Sequence, residues 1–202
     1  GVNQYVMFVG AANRRKLIAP IAPRSRGTLC KDLLRCTSAQ EAMHLSMEEL
    51  ATNRYEGVNF VIADAESGWI VHGGDEPNVV KLEEGLSLIA NRNVNDPRDE
   101  RVLLAHRLLT LQTLDSPVKF LAVASKAFAR PATAPGRPSM VVRSKDRGTV
   151  SSTLLCLGEK PRDAIYQYAM GPPDEAAYED YSPLLRDILS RGLREARTEA
   201  EA

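Results

Sequence analysis

The hydrophobic positions change period several times along the chain. The opening run Tyr5-Val6-Met7-Phe8-Val9-Gly10-Ala11-Ala12 predicts a strand. Leu29, Leu33 and Cys36 then recur at helical spacing, which predicts a short helix capped by Thr28. A second helix opens at Ser38-Ala39-Gln40-Glu41, where Ser38 and Glu41 can satisfy each other's backbone donors, and ends near Thr52. From Gly57 to Asn91 short β-rich runs cover residues 58–65, 69–72, 79–82 and 86–90, with Glu66-Ser67-Gly68 and Gly73-Gly74-Asp75 as turns. Connections this short join antiparallel strands only.

The helical period returns at Asp96-Pro97, read as cap and first helical position, with Leu104, Leu108 and Leu111 as the buried stripe. A further helix over 117–130 runs into the proline-rich stretch 131–138, predicted as a loop. Strands are expected over 149–157 and 164–170. A last helix starts at Ser182-Pro183, turns Leu184, Leu185, Ile188, Leu189 and Leu193 inward, and ends in a charged, frayed tail over 194–202. The order of strand, helices, meander, helices, hairpin and helix predicts a single α+β domain over residues 1–202, with stacked sheets flanked by helices.

Composition narrows the function. Lysine plus arginine number 26 and aspartate plus glutamate number 26, which gives no global field for nucleic acid or an anionic surface. The charge is uneven, however: residues 1–36 carry seven cations against Asp32, and residues 126–147 six against Asp146. Three cysteines without CxxC spacing argue against a disulfide framework or zinc site, and no apolar run approaches a membrane span. These features predict a cytoplasmic protein with no metal and no cofactor.

Signatures of nucleotide, phosphate, zinc or serine-hydrolase chemistry are absent, and His44, His72 and His106 read as surface or partly buried side chains. What stands out is small polar chemistry at strand ends: Asn13-Arg14, Asn59, Asn91-Arg92 and Ser151-Ser152. An asparagine closing an apolar strand can donate its amide to an oxyanion, although asparagine in that place more often supports a turn.

The runs Pro23-Arg24-Ser25-Arg26-Gly27, Arg54-Tyr55-Glu56-Gly57-Val58-Asn59-Phe60-Val61-Ile62-Ala63-Asp64, Leu88-Ile89-Ala90-Asn91 and Gly148-Thr149-Val150-Ser151-Ser152-Thr153-Leu154 resemble the NRDE, or transport-and-Golgi-organisation, family. The resemblance follows nearly the whole chain in order. It implies a four-layer αββα sandwich of two antiparallel sheets, similar to N-terminal-nucleophile hydrolases. In such enzymes the first residue supplies both a nucleophile and an amine base, whose unperturbed pKa is about 7.7–8.0.

Family members begin with Met-Cys and soon show an Asn-Arg-Asp-Glu box, and Gly1-Val2-Asn3-Gln4 has neither. The expectation is a chain lacking its first strands, with a natural non-catalytic descendant as the alternative. The resemblance places Asn13 and Asn91 as the catalytic, carbonyl-polarising pair, and Arg14, Asn59, Arg92, Ser151 and Ser152 around a ligand. The implied function is cleavage of linear amide or acyl bonds by the complete protein. The alternative is binding and trafficking of haem, an acyl-CoA or another amphipathic ligand. The expected partners are a small molecule and, through an open strand edge, a second copy of the chain.

Overall fold

The first strand starts three residues later than its apolar run, because an asparagine bends the chain before it. In this computed structural model, which describes residues 1–132, 134 and 136–200, the Asn3 Oδ1 accepts from the amides of Tyr5 and Met7, both at 3.0 Å. Val6 is driven to φ 61°. The same side chain donates to the carbonyls of Leu34 and Cys36 at 3.1 and 2.9 Å. Strand β1 therefore covers Phe8–Asn13.

The chain falls into two compact units, Gly1–Asp96 together with the stretch from Leu189, and Pro97–Ile188. In the first, β1 is followed by α1 (Arg26–Leu33), α2 (Ala39–Ala51), β2 (Val58–Ala63), β3 (Gly68–Gly73) and β4 (Asn78–Lys81). The strands form one antiparallel sheet in the order β1-β2-β3-β4. The meander is thus as expected, except that residues 86–90 form no strand. Two of their backbone groups are met by side chains instead: Leu88 N–H donates to Asn95 Oδ1 at 2.8 Å, and the Ala90 carbonyl accepts from Asn59.

Alternation divides the sheet into two faces. Val9, Val58, Phe60, Ile62 and Val71 meet Leu29, Leu33, Ala42, Met43 and Leu50 of the helices to make the core. Asn59, Ile70 and His72 lie on the opposite face and are equally buried.

Ser25, not Thr28, caps α1 and accepts from the Thr28 amide, since the helix already begins at Arg26. Ser38 caps α2 as expected, accepting from the Glu41 amide, but the Glu41 carboxylate reaches back to Thr37 N–H at 2.8 Å. Asp64 ties α2 to the β2–β3 turn by accepting from the amides of Ala39, Glu66 and Ser67. Burial opposes its ionisation, but these donors outweigh burial and hold its pKa below the ordinary value.

The second unit contains α3 (Glu100–Thr110), α4 (Pro117–Phe128), β5 (Ser152–Cys156), β6 (Ile165–Ala169), β7 (Glu179–Asp180) and the first turns of α5 (Ser182–Ala200). Its sheet is antiparallel in the order β5-β6-β7. Here Asp99 caps α3 in place of Asp96, and the buried stripe is Val102, Ala105 and Leu109, whereas Leu111 is 69% exposed. Along α5 only Leu185 and Leu189 of the five expected leucines and isoleucine are fully buried, and Leu184 and Leu193 stand out to solvent. The backbone stays helical through Ala200, and residues 201 and 202 of the expected tail lie outside the described residues. So do 133 and 135 of the expected proline-rich loop. Among the described residues no helix is long and apolar enough to cross a membrane.

Candidate functional site

β1 ends beside the start of β2, pairing Ala12 with Asn59 and Asn13 with Val58. Asn59 also pairs with His72 across β2 and β3. This register gathers polar side chains at one end of the sheet, on the face turned away from α1 and α2.

Asn59 is the hub, with 0% exposure. Its Nδ2 donates to the carbonyls of Ala90 and Arg92 at 2.9 and 2.8 Å. Its Oδ1 accepts from Arg14 Nη1 at 3.2 Å and faces His72 Nδ1 at 2.8 Å. All four hydrogen-bonding capacities of the amide are used, and the loop after residue 89 is fastened to the sheet. Arg14 Nη2 donates to Asn93 Oδ1 at 2.7 Å. Beside it, Asn91 Nδ2 donates to the Asn13 carbonyl at 2.6 Å.

This arrangement fixes the His72 tautomer. Because the Asn59 amide nitrogen is committed to two carbonyls, its oxygen must accept, so His72 carries its proton on Nδ1. His72 Nε2 is then a bare lone pair, buried without a hydrogen-bond partner among the described residues. Burial first, and the Arg14 charge second, push the His72 pKa below its ordinary value. Arg14 is itself lowered by burial, with the Asp96 carboxylate acting in the opposite direction.

A neutral His72 has a consequence for stability. The unfolded imidazole titrates near pH ~6.5 and the folded one lower, so the unfolded state binds the extra proton first. This contribution is complete above the unfolded pKa and is lost as pH falls through the folded one. Its slope is at most about 1.4 kcal/mol per pH unit. We expect His72→Gln to unfold with a flatter dependence on pH between about 6.5 and 5 than the wild type. Parallel urea-denaturation profiles for the two proteins would count against a buried neutral histidine.

Of the residues predicted from sequence, Arg14, Asn59 and Asn91 come together here by their side chains, and Asn13 and Arg92 by their main-chain carbonyls. Ser151 and Ser152 belong to the second unit, where Ser152 Oγ and Tyr178 Oη lie 2.6 Å apart. Sequence reasoning passed over His72, Asn93 and Asp96. His72 was readable, since a turn over Asp64–Ser67 that pairs Ala63 with Gly68 sets Asn59 opposite it.

No thiol joins the cluster from the first unit: Cys36 lies in the helical core across the sheet from Asn59, and Cys30 packs against that core. Burial pushes up the pKa of Cys30, Cys36 and Cys156 in turn. All three stay protonated and weakly nucleophilic at neutral pH. Among the described residues no group of three or more His, Cys, Asp or Glu is placed to hold a metal ion. No protein-family model matches the chain, and no curated protein matches it.

Proposed function

We propose that the chain is an NRDE-type, N-terminal-nucleophile-hydrolase-like αββα domain that binds an amphipathic ligand through carbonyl or carboxylate oxygen. The site lies where β1 ends. Two antiparallel sheets accompanied by helices support the fold reading. The observation that carries the functional reading is the 2.6 Å bond from Asn91 Nδ2 to the Asn13 carbonyl, which joins two amides 78 residues apart in sequence.

That bond uses one N–H of Asn91 and leaves its second N–H for a ligand oxygen. Asn13 is exposed at the same strand end, and the Arg92 guanidinium makes no hydrogen bond or ion pair with described residues. The Asn91 amide and a guanidinium next to it in the chain are donors at this strand end, which suits an oxygen-rich head group.

Titrating the chain with oleoyl-CoA tests this. Saturable binding is expected, and Asn13→Ala with Arg92→Gln should weaken it about tenfold, the worth of one or two exposed polar contacts. A signal that never saturates, or a double variant that binds as tightly, removes the proposal.

The same donors could stabilise an oxyanion in acyl transfer, and the proximity of Asn13 and Asn91 favours that second reading. Such chemistry needs a nucleophile other than the three protonated thiols. An acyl-probe library that labels no side chain of the chain would dispose of it.

A further inference from the structure

Between β1 and α1 the chain reads Arg14-Arg15-Lys16-Leu17-Ile18-Ala19-Pro20-Ile21-Ala22-Pro23-Arg24-Ser25-Arg26. Five cations in two groups enclose an apolar run, and the segment holds no acid. An apolar run of this kind is expected to fold inward. Instead Leu17 is 76% exposed, Ile18 61% and Ile21 94%.

These side chains are held outward by a fixed backbone. The Asp75 carboxylate, from the turn between β3 and β4, accepts from Leu17 N–H at 3.0 Å and from Ile18 N–H at 2.8 Å. Those two amides depress the Asp75 pKa, with Ile18 the larger cause. Lys16 Nζ donates to the Tyr55 carbonyl at 3.2 Å, and Arg24 N–H to the Arg54 carbonyl at 2.7 Å. Pro20 is buried in the middle of the run, and Ala22 sits at φ 55°. The loop is strapped at both shoulders, and its aliphatic groups form the tip.

The charges around the tip indicate what covers it. Arg15 and Arg54 are exposed, and their guanidinium groups make no hydrogen bond or ion pair with described residues. Of the neighbouring acids, Glu49 is engaged by Arg24 and Tyr55 and Asp75 by the loop amides, which leaves Glu56 and Glu76 exposed. A tip of aliphatic side chains with cations on its shoulders matches the layering of a bilayer, where acyl chains lie beneath phosphates. A protein groove would take up the aliphatics but would give no role to guanidinium groups without partners.

We propose that the loop over residues 17–23 docks the protein on anionic phospholipid surfaces, inserting Leu17, Ile18 and Ile21 among the head groups while Arg15 and Arg54 meet the phosphates. The docking is peripheral and does not depend on the ligand reading above.

Co-sedimentation with vesicles of phosphatidylserine and phosphatidylcholine in equal parts tests it. The chain is expected to bind these at low ionic strength, to bind pure phosphatidylcholine far more weakly, and to lose affinity as salt rises. The triple variant Leu17→Gln, Ile18→Gln, Ile21→Gln should lose about tenfold or more in affinity, and Arg15→Gln with Arg54→Gln about tenfold together with most of the salt dependence. All five positions are exposed, so unchanged circular dichroism and Tm are expected in both variants. Failure of the wild type to bind, or undiminished binding by the triple variant, overturns the proposal. So does self-association of the wild type in sedimentation velocity that the triple variant abolishes, which would assign the tip to a second copy.

Discussion

Replacing Asn59 with leucine is expected to destabilise the fold by about 3–5 kcal/mol, a large part of the stability of a typical domain. Leucine keeps the branched outline, though it is bulkier, and strands four groups at once: the carbonyls of Ala90 and Arg92, Arg14 Nη1 and His72 Nδ1. A buried group left unsatisfied costs about 1–3 kcal/mol. Arg92 is exposed and Ala90 half-buried, so water recovers part of that cost, and the sum falls short of four full penalties. His72 has no such relief at 1% exposure, and its Nε2 already lacks a partner among the described residues.

Asn59→Asp separates hydrogen bonding from packing. It keeps the shape, but it turns the two donations into repulsion between a carboxylate and two carbonyls. We expect a loss of about 2 kcal/mol or more from it as well, despite its attraction for Arg14. Asn78→Ser, at an exposed position opposite His72 on β4, should change stability by less than about 0.5 kcal/mol. Urea midpoints for the three variants decide the matter. A loss below about 1 kcal/mol in Asn59→Leu would mean that the amide is not the hub described.

Gly57→Ala is expected to cost about 2–3 kcal/mol and to lower Tm by roughly 4–12 °C. Its backbone does not need glycine for its dihedral angles, since Gly57 is not among the glycines at positive φ. The constraint is space: an added Cβ would stand 2.3 Å from the Arg14 carbonyl oxygen and 2.9 Å from its carbon. Neither is a side-chain atom that can swing aside.

Relief requires β1 and β2 to part where Arg14 N–H donates to the Gly57 carbonyl at 3.0 Å and Arg26 Nη1 donates to the same oxygen at 2.8 Å. The damage should therefore reach Arg14 and the amides around it, so the variant should also bind oleoyl-CoA more weakly. Gly27→Ala is the matched control, on an exposed turn of α1 with only Ser25 Oγ within reach at 3.6 Å. It should be neutral or slightly stabilising, because alanine favours the helix. Equal thermal shifts in the two variants would remove the steric explanation.

The elements that could be read from sequence were those whose signals are local. Ser38, the turns after β2 and β3, and Pro117 at the start of α4 each act within a few residues, and each is found where its chemistry places it. The misreadings arise where a distant group decides. Asp96 and Asp99 are equally good caps by type, but Asp96 is taken into the buried neighbourhood of Arg14, and Asp99 accepts from Arg101 and Val102 instead. Apolar residues occur on more than one face of α3, so the stripe of Leu104, Leu108 and Leu111 had a rival, and packing selected Val102, Ala105 and Leu109. Residues 86–90 have strand-like composition, but the side chains of Asn59 and Asn95 satisfy backbone groups that a ladder would otherwise have used.

The candidate site divides in the same way. Asn13 and Asn91 stood out as strand-end residues, and the structure sets them in contact. Asn59 was placed beside a ligand, and it is instead a fully satisfied tie beneath the loop. His72, taken from sequence as a surface or partly buried histidine, is buried and neutral, because the strand register puts it against that tie.

The first unit is not continuous in sequence, since it takes up the chain again at Leu189. Gly192 lies so close to Gln4 that an added Cβ would meet its Cβ at 2.3 Å and its carbonyl oxygen at 2.5 Å. On the ribosome, then, Gln4 must wait for a segment that is made only after the whole second unit. The meander can assemble during translation, but the wall beside Gln4 cannot close until every residue of the second unit has been synthesised.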